Sequence, residues 1–129
     1  SVKSLQSAIS VKTDITVNNG SELNDAGFTI SGVSGLFTIN NGAIYSTNRI
    51  ASPWFPVNLT PDLKTGSVVK YNGVGNFTLP AIPVVYGTIQ MNGTGNHTLS
   101  SSITINKDLI INSGVLLDGW LQINGNSTG

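Results

Sequence analysis

Few side chains in this sequence can carry acid–base, nucleophilic or metal chemistry, and their spacing decides what chemistry is open to the chain. They are six acids (Asp14, Glu22, Asp25, Asp62, Asp108 and Asp118) and one histidine, His97. Cleavage of a polysaccharide needs two or three carboxylates, or carboxylates beside a Lys or Arg, converging on one face. Only Glu22 and Asp25 lie close in sequence, both in or near a turn, where capping or solvation accounts for them. A lone His with no partner identifiable in the sequence is weak evidence for catalysis. Cysteine is absent, which excludes disulfides and thiolate metal sites. Gly73-Val74-Gly75 and Gly93-Thr94-Gly95 look like phosphate loops, but the helix and the lysine that such a loop needs are missing. The expectation is a chain that is not an enzyme and has no cofactor and no metal site.

One other pair of residues suggests ligand contact. Trp54 and Phe55 sit in Pro53-Trp54-Phe55-Pro56, where their rings could stack on a sugar or anchor a partner. The alternative is that they fold back and cover an open side of the molecule. The composition around them is that of a scaffold. Six Lys+Arg balance six Asp+Glu, and charged residues make up only 9 % of the chain. Without a basic stripe to neutralise phosphates, nucleic acid is not an expected partner. No apolar run approaches the roughly 18 residues of a membrane span. Gly 15, Asn 15, Ser 15 and Thr 13 make nearly half the sequence small, polar and uncharged.

The elements that position these residues come from a repeat with a period of 20. Val69-Lys70-Tyr71-Asn72-Gly73 returns as Ile89-Gln90-Met91-Asn92-Gly93, and again as Leu109-Ile110-Ile111-Asn112-Ser113-Gly114. Gly75-Asn76-Phe77-Thr78-Leu79 returns as Gly95-Asn96-His97-Thr98-Leu99, which sets His97 at the place of Phe77 and predicts that the two rings stack. Upstream the spacing is 22, and Ile15-Thr16-Val17-Asn18 is matched by Phe37-Thr38-Ile39-Asn40. Apolar residues alternate at period two and β-branched residues dominate, so the units are strands. A single short strand cannot bury its apolar face, but equivalent strands from successive units can stack on each other. The expected fold is therefore all-β: a parallel β-solenoid, a right-handed β-helix of about six coils with 20–22-residue repeats, each rising roughly 4.8 Å.

Asn18, Asn40, Asn72, Asn92 and Asn112 follow equivalent strands and precede a glycine, so their amides are expected to form a structural ladder. Val69, Tyr71, Ile89, Met91, Leu109 and Ile111 should form one inward column, with Ile15, Val17, Phe37 and Ile39 above them. Leu79, Leu99 and Leu117 should form a second column, and Ile103, Ile105, Leu121 and Ile123 part of a third; Lys70 and Gln90 should face solvent, with Ile110 out of pattern. No two aspartates are separated by a multiple of the period, so no acidic column for Ca²⁺ is expected. From Asn40 to Asn72 the spacing is 32 rather than 20 to 22, which implies roughly ten inserted residues. The organisation read from this is N-terminal coils over 1–45, a Trp/Pro-containing loop over 46–65 and C-terminal coils over 66–129, one continuous solenoid cut from a longer protein.

Residues 75–125 resemble a repeat of giant surface adhesins of the Bacteroidetes, including gliding-motility adhesins exported by the type IX secretion system. The residues that carry the likeness are Gly75–Pro80, Met91–Leu99, Ile103–Leu116 and Leu121–Gly125, while residues 1–68 match only in texture. The resemblance implies export across the outer membrane, attachment to the bacterial cell surface or assembly into fibres, and contact with surfaces or glycans. The function expected is thus a non-enzymatic structural or adhesive segment of a surface protein or filament, with neighbouring repeats or subunits at its open ends. The alternatives are a carbohydrate-active β-helix or a self-assembling fibre subunit.

Overall fold

Asn, Gly, Ser and Thr favour turns over helices, and the described part of the computed structural model, residues 1–53 and 55–125, contains strands, turns and bends only. The strands are two to four residues long and wind into six coils. The first coil holds β1 (Val2–Ser4), β2 (Ile9–Val11) and β3 (Ile15–Val17); the second holds β4 (Glu22–Asn24), β5 (Ile30–Gly32) and β6 (Leu36–Ile39). The third has β7 (Ile44–Thr47) and β8 (Thr60–Leu63), with Val57 bridging to Ser31 between them. Three strands return in the fourth coil, β9 (Val68–Tyr71), β10 (Phe77–Thr78) and β11 (Val85–Tyr86), and in the fifth, β12 (Thr88–Met91), β13 (Asn96–Thr98) and β14 (Ile103–Ile105). The sixth ends the stack with β15 (Leu109–Ile111), β16 (Val115–Leu117) and β17 (Ile123–Gly125).

Every strand pairing is parallel, as a solenoid requires. One six-stranded sheet, β1-β4-β7-β9-β12-β15, runs the whole length. The other faces are each made of shorter sheets: β2-β5 and β3-β6-β8 in the first three coils, β10-β13-β16 and β11-β14-β17 in the last three. The expected column of Val69, Tyr71, Ile89, Met91, Leu109 and Ile111 is present in register, with Lys70, Gln90 and Ile110 on the outer side.

Three expectations are corrected by the register. First, Ile15, Val17, Phe37 and Ile39 do not continue that column; they belong to β3 and β6, on another face, and Leu23 and Tyr45 are the residues aligned with Val69. The apolar–x–apolar–Asn–Gly pattern marks a strand entering a corner, and this solenoid has more than one corner of that kind. For the same reason the Asn ladder is two ladders. Asn40 Nδ2 donates to Asn18 Oδ1 at 3.0 Å on one face, while Asn92 donates to Asn72 at 2.7 Å and Asn112 to Asn92 at 2.8 Å on another. Second, the third coil is only slightly long: Ile44 aligns with Val68 where a strict period would bring Lys64, so there is no ten-residue insertion. The 46–65 stretch is not one loop either, since Ser46 and Thr47 are in β7 and Thr60–Leu63 is a strand. Third, Leu117 aligns with Thr98 rather than Leu99, because Asn96 pairs with Val115, one position short of the repeat partner Leu116. A one-residue deletion turns every following side chain to the opposite face, so Leu116 points inward and Leu117 is exposed.

The core contains large rings at positions the small coils could not otherwise fill. Phe37 meets Tyr45 edge-on at 4.9 Å between ring centres, and the buried Tyr71 and Tyr86 hydroxyls share a 2.8 Å hydrogen bond. Burial raises the pKa of Tyr45, Tyr71 and Tyr86, with the Asp25 carboxylate adding to the effect at Tyr45 and Tyr86 adding to it at Tyr71. A phenol whose folded pKa is raised contributes its stability fully below the unfolded value near 10, and that contribution is lost as pH rises from there through the folded value. Urea midpoints are therefore expected to be insensitive to these groups up to about pH 10 and then to fall, each tyrosine contributing about 1.4 kcal/mol per pH unit. A Tyr86→Phe chain should fall less steeply than the parent; parallel alkaline limbs would contradict the assignment.

Candidate functional site

The acids are dispersed, and Asp14, Asp25 and Asp118 accept from backbone amides. Asp25 is fully buried, not solvated: its Oδ1 accepts from Gly27 N–H at 2.8 Å and Asn48 N–H at 3.0 Å, and its Oδ2 accepts from the Tyr45 hydroxyl at 2.9 Å. These bonds hold the turn in which Ala26 and Gly27 both have positive φ. Glu22, close in sequence, faces the opposite side of the sheet, where it accepts from the Ser46 hydroxyl and lies 3.7 Å from Lys70 Nζ. The two carboxylates that lie close in sequence thus sit on opposite faces, one inside and one outside. Asp14 accepts from Leu36 N–H at 2.8 Å, Asp118 from Trp120 N–H at 3.1 Å, and Asp62 pairs with Lys64 at 2.9 Å. Among the described residues no three His, Asp or Glu approach closely enough to hold a metal ion.

His97 stacks on Phe77 as its place in the repeat predicted, with ring centres 4.2 Å apart and planes inclined by 27°. It is fully buried, aligned between Phe77 and Leu116, and neither ring nitrogen has a hydrogen-bond partner. A buried polar group without a partner carries its full desolvation penalty. It is a core ring with an energetic cost.

Of the expected ligand-contacting pair, Trp54 lies outside the described residues. Phe55 turns inward and is 8 % exposed, with ring centres 5.4 Å from Tyr45 and 6.1 Å from Phe37. The segment before it is held by Arg49, whose guanidinium donates to the carbonyls of Pro53, Gly27 (2.9 Å) and Ser52 (3.4 Å). Phe55 is thus part of the core, and only its edge borders the surface.

That edge borders a cleft of about 500 Å³ between the third and fourth coils. Pro53, Pro56, Leu59 and Pro61 form one wall and Leu79, Pro80, Ala81 and Ile82 the other. A second hollow of about 310 Å³ continues past Pro61 and Ile82 to Pro83 and Val85. All five prolines of the chain therefore line one seam. The sequence alone marks the first three as a loop; that Pro80 and Pro83 stand opposite them follows only from the coil register. The lining is apolar apart from a few hydroxyls and the Asp62 carboxylate. Compared with protein-family models, curated proteins and solved structures, the chain finds no match.

Replacing the unpartnered imidazole by an apolar ring of similar shape removes its desolvation cost. His97→Phe is expected to raise the unfolding free energy by about 1 kcal/mol, read from urea midpoints at constant slope. A loss of stability instead would mean that the imidazole has a partner inside the core.

Proposed function

We propose that this chain is a structural segment of an extracellular bacterial surface protein or filament, a stack of β-coils without catalytic function whose sixth coil offers an open face to neighbouring repeats or subunits. The observation that supports this reading most is the sixth coil. Leu109, Ile111, Val115, Leu117 and Ile123 are all partly exposed there, and β15, β16 and β17 are each the outermost strand of a sheet. An open, apolar edge of unpaired backbone groups is a template for another strand, and three such edges side by side match the three strands of one more coil. The opposite end differs. Lys3 takes the register position that Leu23, Tyr45, Val69, Ile89 and Leu109 occupy in later coils, and a charge placed in a core column blunts an edge.

The rest of the molecule suits a mechanical role. Its surface offers Asn, Ser and Thr with few charges, so neighbours meet through hydrogen bonds that salt screens little. Asp14, Asp25 and Asp118 are used on backbone amides, and among the described residues no three acids or histidines converge. Attachment to glycans belongs to the adhesin resemblance, and no built sugar site accompanies it among the described residues.

The 1–129 chain is expected to self-associate with rising concentration in sedimentation equilibrium, through its sixth coil. The Ile111→Lys, Val115→Lys double variant should remain monomeric, with an unchanged β-sheet circular dichroism spectrum. A wild-type chain that stays monomeric throughout, or a variant that associates equally, would remove the open end from the proposal.

A further inference from the structure

Solenoids are stiff because each coil is bonded to the next on every face, and in this molecule one junction lacks most of those bonds. The first and second coils pair through β1-β4, β2-β5 and β3-β6. The second and third pair through β4-β7, β6-β8 and the Ser31–Val57 bridge. Three pairings also join the fourth coil to the fifth, and the fifth to the sixth. Between the third and fourth coils, among the described residues, only β7-β9 is paired. The Asn72–Asn92–Asn112 ladder begins on the fourth coil, beside this junction, and the Asn18–Asn40 ladder ends one coil before it, on the second.

The open faces cannot close by simple approach. Along β8, Thr60 N–H bonds back to Gly35 O at 2.9 Å and Lys64 N–H to Ile39 O at 3.1 Å. Alternate residues of a parallel strand direct their backbone groups to opposite sides, so Pro61 and Leu63 face the cleft. Across from them, Val84 O and Tyr86 O accept from Thr104 and Asn106 in the fifth coil, at 2.8 and 2.9 Å. Pro83 and Val85 therefore face the cleft from the other side. Each facing edge thus places a proline, which has no N–H, where a ladder donor is required. Pro53, Pro56 and Pro80 fill the neighbouring wall with rings that likewise cannot donate.

We infer that the seam between the third and fourth coils is a bending joint, at which the two three-coil halves rock about the β7-β9 pairing while the Pro-lined cleft opens and narrows. A hinge is a small set of residues that absorbs motion between bodies that stay rigid, and here the bodies are the fully paired halves. In a stalk or filament such a joint lets the segment yield sideways without breaking the sheet that runs its whole length. The use depends on the structural role proposed above; the joint itself does not.

Spin-label distance measurements on the full chain test this directly. Labels at Thr38→Cys and Thr104→Cys, outer positions of β6 and β14, span the seam on its open side. Labels at Asn24→Cys and Gln90→Cys span the same coils on the continuous sheet, and Thr16→Cys with Asp62→Cys stay within one half. The open-side distribution is expected to be about twice as wide as either control; equal widths would overturn the joint. In the unlabelled chain, the Leu63 and Val85 amides should exchange with solvent at least about tenfold faster than those of Val69 and Ile89. Equal protection would show the seam zipped and overturn the joint as well. Neither result depends on whether the sixth coil associates.

Discussion

Everything in this molecule depends on the hydrogen bonds that each coil makes to the coil before it. Asn72 N–H donates to Thr47 O at 2.8 Å, Asn92 N–H to Tyr71 O at 2.9 Å and Asn112 N–H to Met91 O at 2.8 Å. Among the described residues no strand is longer than four residues, and none is stable alone. The axial bonds turn short strands into a sheet of six and place like side chains over like. Burial follows from that alignment: Val69 covers Tyr45, Ile89 covers Val69, and the column excludes water without any helix to cover it.

Turn residues and polar side chains make this stacking repeatable. Each corner leaves backbone groups that a flat sheet would not satisfy. Asp25 takes two of those N–H groups and a tyrosine hydroxyl, Asn41 accepts from Gly66 N–H at 2.8 Å, and Asn76 from Asn96 N–H at 2.8 Å. Glycine is required where coils approach most closely: a Cβ on Gly93 would lie 1.7 Å from Gly73 O. The scarce charges are used on local geometry, and Glu22 and Asp25, neighbours in sequence, separate onto two sides of a sheet.

The repeat was legible because Tyr71, Met91 and Ile111, with the asparagine after each, recur in both type and place. The stack of His97 on Phe77 followed from the same reasoning. Which corner a unit belongs to was not legible, since Val17-Asn18 and Tyr71-Asn72 look alike but end strands on different faces. That ambiguity turned a slightly long coil into an apparent insertion. The deletion before Val115 was hidden as well, because Leu116 and Leu117 are both apolar and only register tells which one points inward. The seam was half visible, as Pro53, Pro56 and Pro61. Its other wall, Pro80 and Pro83, becomes its neighbour only once the coils are stacked.

Scalar couplings across hydrogen bonds, read by NMR between amide nitrogen and carbonyl carbon, test the axial stacking most directly. Stacked coils require couplings from Asn92 to Tyr71 and from Asn112 to Met91, with Asn72 reporting Thr47 across the seam. Couplings from these amides to carbonyls a few residues away, as in β-hairpins, would contradict the stacking and everything built on it.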